Sequence, residues 1–267
     1  MPISPHSEIR FLSHPLAAVR TGTAAMILSA LMIFPAQAEI DQKRYAECIA
    51  KIDTDPRNAF DSAAFWRFSG GGIAAAHCAG LALIRMGQHK YGAERLETVV
   101  RKMRNSDEFN EAPKIAEVLA QAGHGWILAG DPARARQLFT KALEFQPGTS
   151  TYFVDRSIAA VDLKDFRSAA SDLDAAVKFD PENTEAFAFR ARARRKLGDF
   201  EGAVNDANRA IALDPDYVPA LLERGSLRQM SNDSDGARSD WRRVLEISPE
   251  SAEAIAAKAL LKALDTN

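Results

Sequence analysis

Cys48, Cys78 and the histidine beside the second of them, His77, are the side chains of this 267-residue chain with the most evident chemistry. A thiolate close to an imidazole makes a nucleophile. Neighbours in a helix point in different directions, however, and no flanking pattern supports a Cys–His enzyme here. An even cysteine count points instead to a Cys48–Cys78 disulfide, provided the compartment is oxidising. Two buried thiols at small-residue positions are the alternative. His89 and His124 stand at no metal-binding spacing with another histidine or a carboxylate pair. Gly70-Gly71-Gly72 lacks the Lys-Ser/Thr of a phosphate loop and reads as a helix breaker. No metal, cofactor or catalytic residue is expected.

A second set of charged residues is periodic. Arg156, Arg190 and Arg224 recur at 34 residues, as do Asp172, Asp206 and Asp240. One register earlier stand Ala122 and Leu138, so both charges are missing together. That correlation favours structural Arg–Asp pairs over a binding ladder.

The elements that position these residues share the period. Pro147, Pro181, Pro215 and Pro249 are spaced by 34, and the units are Ala116–Thr149, Ser150–Asn183, Thr184–Tyr217 and Val218–Ser251. Each unit reads as two helices around a short turn. The turns are Ala129-Gly130-Asp131-Pro132, Lys164-Asp165, Leu197-Gly198-Asp199-Phe200 and Asn232-Asp233, whose residues end one helix and cap the next. Small residues recur at Ala135, Ala169, Ala203 and Ala237, where helices approach closely. Bulky Phe139, Leu173 and Trp241 follow, but the third unit has Ala207 there and a thinner core.

This pattern resembles the tetratricopeptide repeat. The matching residues in the first unit are Leu119, Gly123, Trp126, Gly130, Ala135, Phe139, Ala142 and Pro147. The resemblance implies an all-α chain of helix-turn-helix repeats stacked in a right-handed solenoid. Residues 116–251 form the four repeats, 252–267 a C-terminal capping helix and 107–115 a polar insert. Residues 39–106 form an N-terminal helical cap with a degenerate repeat-like unit at about Ile73–Arg104.

The resemblance also implies that the first helix of each repeat lines a concave groove. Candidate partner-binding residues are His124, Ile127, Val154, Ile158, Arg192, Arg195, Lys196, Gln229 and Met230. They describe an apolar entrance followed by a basic patch, suited to a segment with apolar anchors and an acidic side chain. Some family members grip acidic chaperone tails with a Lys/Asn/Arg clamp. The corresponding places here hold Ala120, His124, Asp155, Glu185 and Phe189, so that role is not implied.

Residues 1–38 read as a cleaved signal peptide. Arg10 and Arg20 precede an apolar stretch over Gly22–Phe34, and Pro35-Ala36-Gln37-Ala38 supplies a small-x-small cleavage site. An uncleaved anchor is the alternative. Cleavage removes two arginines and one glutamate, leaving 32 basic against 35 acidic residues. A nucleic-acid partner is therefore not expected, and no membrane span follows the leader. The expected protein is a periplasmic or secreted non-enzymatic scaffold that binds a peptide or partner protein. A self-associating structural protein is the alternative, and a Cys/His enzyme a more distant one.

Overall fold

The computed structural model describes residues 34–106 and 110–266. Most of the expected leader lies outside them, and residues 34–38 open the first helix. The described residues are helical throughout, with no strand among them. They divide into two compact units, 34–131 and 132–266.

The first unit holds α1 (Phe34–Lys51), α2 (Pro56–Phe68), α3 (Gly72–Arg85), α4 (His89–Arg104) and α5 (Ala112–Leu128). Each helix packs on the next, and α1 also reaches α3. Local chemistry sets the boundaries. Asp55 caps α2 by accepting from the Asn58 N–H, and Pro56 starts it. Pro113 sits in the first turn of α5, so the helix begins at Ala112, before the expected repeat start at Ala116. Small residues let α3 and α4 approach: a Cβ on Gly80 would meet the Leu96 side chain.

The second unit holds α6 (Pro132–Phe145), α7 (Ser150–Asp162), α8 (Phe166–Phe179), α9 (Thr184–Leu197), α10 (Phe200–Leu213), α11 (Val218–Met230), α12 (Ser234–Ile247) and α13 (Ala252–Asp265). Alternate helices α7, α9, α11 and α13 pack in sequence, and each of α8, α10 and α12 sits against the helices before and after it. This is an all-α repeat fold.

The turns repeat as closely as the helices. Gly130, Lys164, Gly198 and Asn232 all adopt positive φ, at 77°, 61°, 86° and 64°. The next residue caps the following helix in three cases. Asp165, Asp199 and Asp233 accept from the N–H of Ser168, Gly202 and Gly236 at 3.1, 3.0 and 2.9 Å. One residue reverses the chain and its neighbour satisfies the new helix.

The buried side chains follow the small–bulky–small pattern. Ala169, Leu173 and Ala176 are buried on α8, and Ala237, Trp241 and Val244 on α12. The third repeat is thin, with Ala191, Ala203, Ala207 and Leu227 forming its cluster.

Candidate functional site

Three Arg–Asp forks join the two helices of successive repeats. Arg156 donates from Nε and Nη2 to Asp172 at 3.0 and 2.6 Å. Arg190 does the same to Asp206 at 2.8 and 2.7 Å, and Arg224 to Asp240 at 3.0 and 2.7 Å. The three carboxylates are buried, so each is matched in geometry as well as charge.

Further partners surround the forks. Arg194 and Arg228 add a second guanidinium to Asp206 and Asp240, at 2.9 and 2.8 Å. The third Arg190 nitrogen reaches Asp174 on the preceding repeat at 2.9 Å, and that of Arg156 reaches Thr140 at 3.3 Å. Burial alone would weaken the charge on Arg190, but Asp206 and Asp174 outweigh it and raise its pKa. The arginine ladder is therefore internal bracing, within and between repeats.

The expected groove residues divide. Val154 is buried in the core with Leu173 and Ala186, and Ile127 is buried in the first unit. Neither lines an open surface; each carries a core side chain at the place assigned to the groove. Arg195 requires a second correction. Its guanidinium forms a two-point ion pair with Glu223, a buried carboxylate on α11, so it braces adjacent first helices. His124 is half-buried and has an interaction of its own. Ile158 is half-buried against the α7–α8 core, Gln229 is half-buried and Met230 is exposed.

Arg192 is half-buried and Lys196 exposed. Every other cation on α7, α9 and α11 is committed to a carboxylate: Arg156, Arg190, Arg194, Arg195, Arg224 and Arg228. No ion pair holds Arg192 or Lys196 among the described residues. They remain as positive charge on the α9 surface, beside helices carrying Ile158, Val161 and Met230.

The first unit holds different chemistry. Cys48 on α1 and Cys78 on α3 form a disulfide. The Cys78 sulfur is thereby occupied, and the thiol required by a Cys–His nucleophile is absent. His77 is buried with both ring nitrogens engaged: Nδ1 lies 2.8 Å from the Tyr45 hydroxyl and Nε2 2.6 Å from Gln121 Oε1. The Gln121 amide continues to Glu117 at 3.2 Å. Burial lowers the His77 pKa, against the opposing effect of its Gln121 hydrogen bond. Burial, then the charge of Glu117, raises the Tyr45 pKa far above its ordinary value. A neutral imidazole accepting from Tyr45 and donating to Gln121 satisfies the chain. His89 Nδ1 donates to the Leu128 carbonyl at 3.1 Å. Among the described residues no three His, Cys, Asp or Glu side chains group to hold a metal.

Three features escaped the sequence reading. Arg194 and Arg228 share the 34-residue spacing, so their period was the available signal. Glu223 has no periodic signal, since Phe189 and Ala257 occupy its register positions. The Tyr45–His77–Gln121–Glu117 chain joins three helices distant in sequence, which no local pattern announces.

Comparison with known proteins agrees with this geometry. Residues 154–218 and 190–252 match the family described as Tetratricopeptide repeat. A structure of a MamA RS-1 ArsTM double mutant is 20% identical, with a TM-score of 0.55 over 66% of this chain and 94% of that one. A crystal structure of MamA protein is 15% identical, with a TM-score of 0.54 over 68% of this chain and 94% of that one. These likenesses concern the fold. No curated protein matches the sequence.

Proposed function

We propose that this tetratricopeptide-repeat protein, whose matched repeats span residues 154–252, is a non-enzymatic scaffold. It holds a segment of a partner protein against the first helices of the array. The observation that carries this reading is that Arg192 and Lys196 stand outside the internal pairs that engage every other cation of α7, α9 and α11. Unneutralised charge on α9, with half-buried Ile158 and Val161 on the neighbouring α7, suits an acidic side chain flanked by apolar anchors. Arg195 is excluded from that role by its bond to Glu223.

The scaffold works in the bacterial envelope. Two arguments support this: the leader-like sequence of residues 1–38 and the Cys48–Cys78 bond, which persists in oxidising compartments. No helix among the described residues is long and apolar enough to cross a membrane. N-terminal sequencing of the protein from cell fractions tests the location. A start at Glu39 in the periplasmic fraction is expected, and intact protein in the cytosolic fraction contradicts it.

Partner capture from envelope extract tests the function. Arg192→Glu with Lys196→Glu should remove the captured protein while the helical content stays unchanged. Capture at the wild-type level by that variant excludes the groove.

A further inference from the structure

Helix α13 occupies the place of a first helix in a repeat. Ala252 follows Ser150, Thr184 and Val218 at the same 34-residue interval. It packs on α11 and α12, as α11 packs on α9 and α10. In each complete repeat the opposite face of the first helix is covered by that repeat's second helix.

Four register positions make this contact. The first holds Phe153, Phe187 and Leu221, which meet Phe179 on α8, Arg209 on α10 and the Trp241 cluster on α12. The second holds the fork arginines Arg156, Arg190 and Arg224. The third is small, with Ser157, Ala191 and Gly225; a Cβ on Gly225 would collide with the Trp241 ring. The fourth holds Ala160, Arg194 and Arg228, the last two binding the same carboxylates as the forks.

On α13 these positions hold Ile255, Lys258, Ala259 and Lys262. They keep the apolar, cationic, small and cationic order of α9 and α11, where α7 has Ala160 at the fourth place. All four are exposed, and Ile255 is 67% accessible where Leu221 is 3% accessible. Lys258 reaches only the Pro249 carbonyl at 3.3 Å, and neither lysine is in an ion pair among the described residues. The face keeps the register of a repeat socket, and no second helix covers it among the described residues.

The charge selects the occupant. A two-fold pairing of α13 between copies would set Lys258 and Lys262 against their own counterparts. The second helices of this chain show what the socket accepts. Each has a small residue, an aspartate three positions later, and a small or β-branched residue four beyond that: Ala169, Asp172 and Ala176; Ala203, Asp206 and Ala210; Ala237, Asp240 and Val244. We infer that the exposed face of α13 docks an amphipathic helix of a partner protein built on this small–x–x–acidic–x–x–x–small pattern. The acidic group lies between Lys258 and Lys262, and the small residues cross at Ala259. This surface is separate from the Arg192 and Lys196 groove, and either can hold without the other.

The probe is a labelled peptide of residues 165–180, cross-linked on its solvent face because a helix this short does not hold alone. Fluorescence anisotropy with the full chain should show saturable binding. Asp172→Asn in the peptide, or Lys258→Glu with Lys262→Glu in the protein, should each weaken it by about tenfold or more. An Asp172→Lys peptide should recover binding to the doubly reversed protein. Three results overturn the inference: no saturable binding, binding indifferent to these charges, or binding lost on Arg192→Glu with Lys196→Glu instead.

Discussion

Arg190 and Asp206 meet through two nearly parallel hydrogen bonds of 2.8 and 2.7 Å. Asp206 also receives Arg194, and Arg190 also reaches Asp174 on the preceding repeat. One buried carboxylate thus gathers two guanidinium groups where the apolar core is mostly alanine. The same double pairing on Asp240 stands beside buried Trp241, so the network recurs whether the local core is thin or bulky.

Removing one partner should therefore cost more than removing both would suggest. Asp206→Ala removes the buried carboxylate shared by both guanidinium groups and leaves them only their exposed partners Asp174 and Asp199, so it should destabilise the unit by about 2 kcal/mol. Arg190→Ala should cost less, since Arg194 still reaches the carboxylate. The double variant should fall short of the sum in denaturant unfolding, whereas additive losses would argue against direct coupling.

The turn residues carry a different prediction. Lys164 adopts a φ of 61° at the position held by Gly130 and Gly198 in other repeats. A side chain with a Cβ is strained there, by about 1–2 kcal/mol. Lys164→Gly should raise stability by about 1 kcal/mol, after the entropy glycine gains in the unfolded chain is subtracted. Asn232→Gly should gain less, because asparagine tolerates this region. An unchanged or lowered midpoint for Lys164→Gly would contradict the turn geometry.

Much of this scaffold was legible in the sequence, for local reasons. Prolines, turn residues and capping aspartates act within a few positions, so a constant period places helix ends directly. The Arg–Asp forks were legible because both members repeat and both vanish at Ala122 and Leu138. Groove assignments fared less well. A helix position assigned by register alone does not say whether its side chain points inward, and Val154 proved to be core. Arg195 looked like surface charge because its partner, Glu223, lies on another helix at a position with no repeated acid.

His77 gives a pH dependence with a definite sign. Its folded pKa is lowered, so the unfolded chain binds the proton more readily. Its cost is absent above the ordinary pKa of about 6.5 and grows as pH falls from there toward the folded value. Stability at about pH 5.5 should be lower than at about pH 7.5, and His77→Gln should flatten that difference. An equal slope in the variant would assign the dependence to other groups.

Reduction of the Cys48–Cys78 bond should destabilise the first unit. The bridge closes a separation of 30 residues, which the loop-entropy treatment values at about 3–4 kcal/mol. Thermal unfolding with and without reductant measures this, and Cys48→Ala with Cys78→Ala should resemble the reduced protein. Identical midpoints would mean that α1 and α3 are held by packing alone.

The first-helix face is proposed to hold the partner. Site-specific photo-crosslinking in cells tests it most directly, with the photoreactive residue at Ile158 or, as a control on an exposed second helix, at Asn205. A discrete adduct is expected from Ile158 and none from Asn205, and the Ile158 adduct should disappear when Arg192→Glu and Lys196→Glu are introduced together. Equal labelling from Asn205, or an Ile158 adduct that survives the charge reversal, would contradict the proposal.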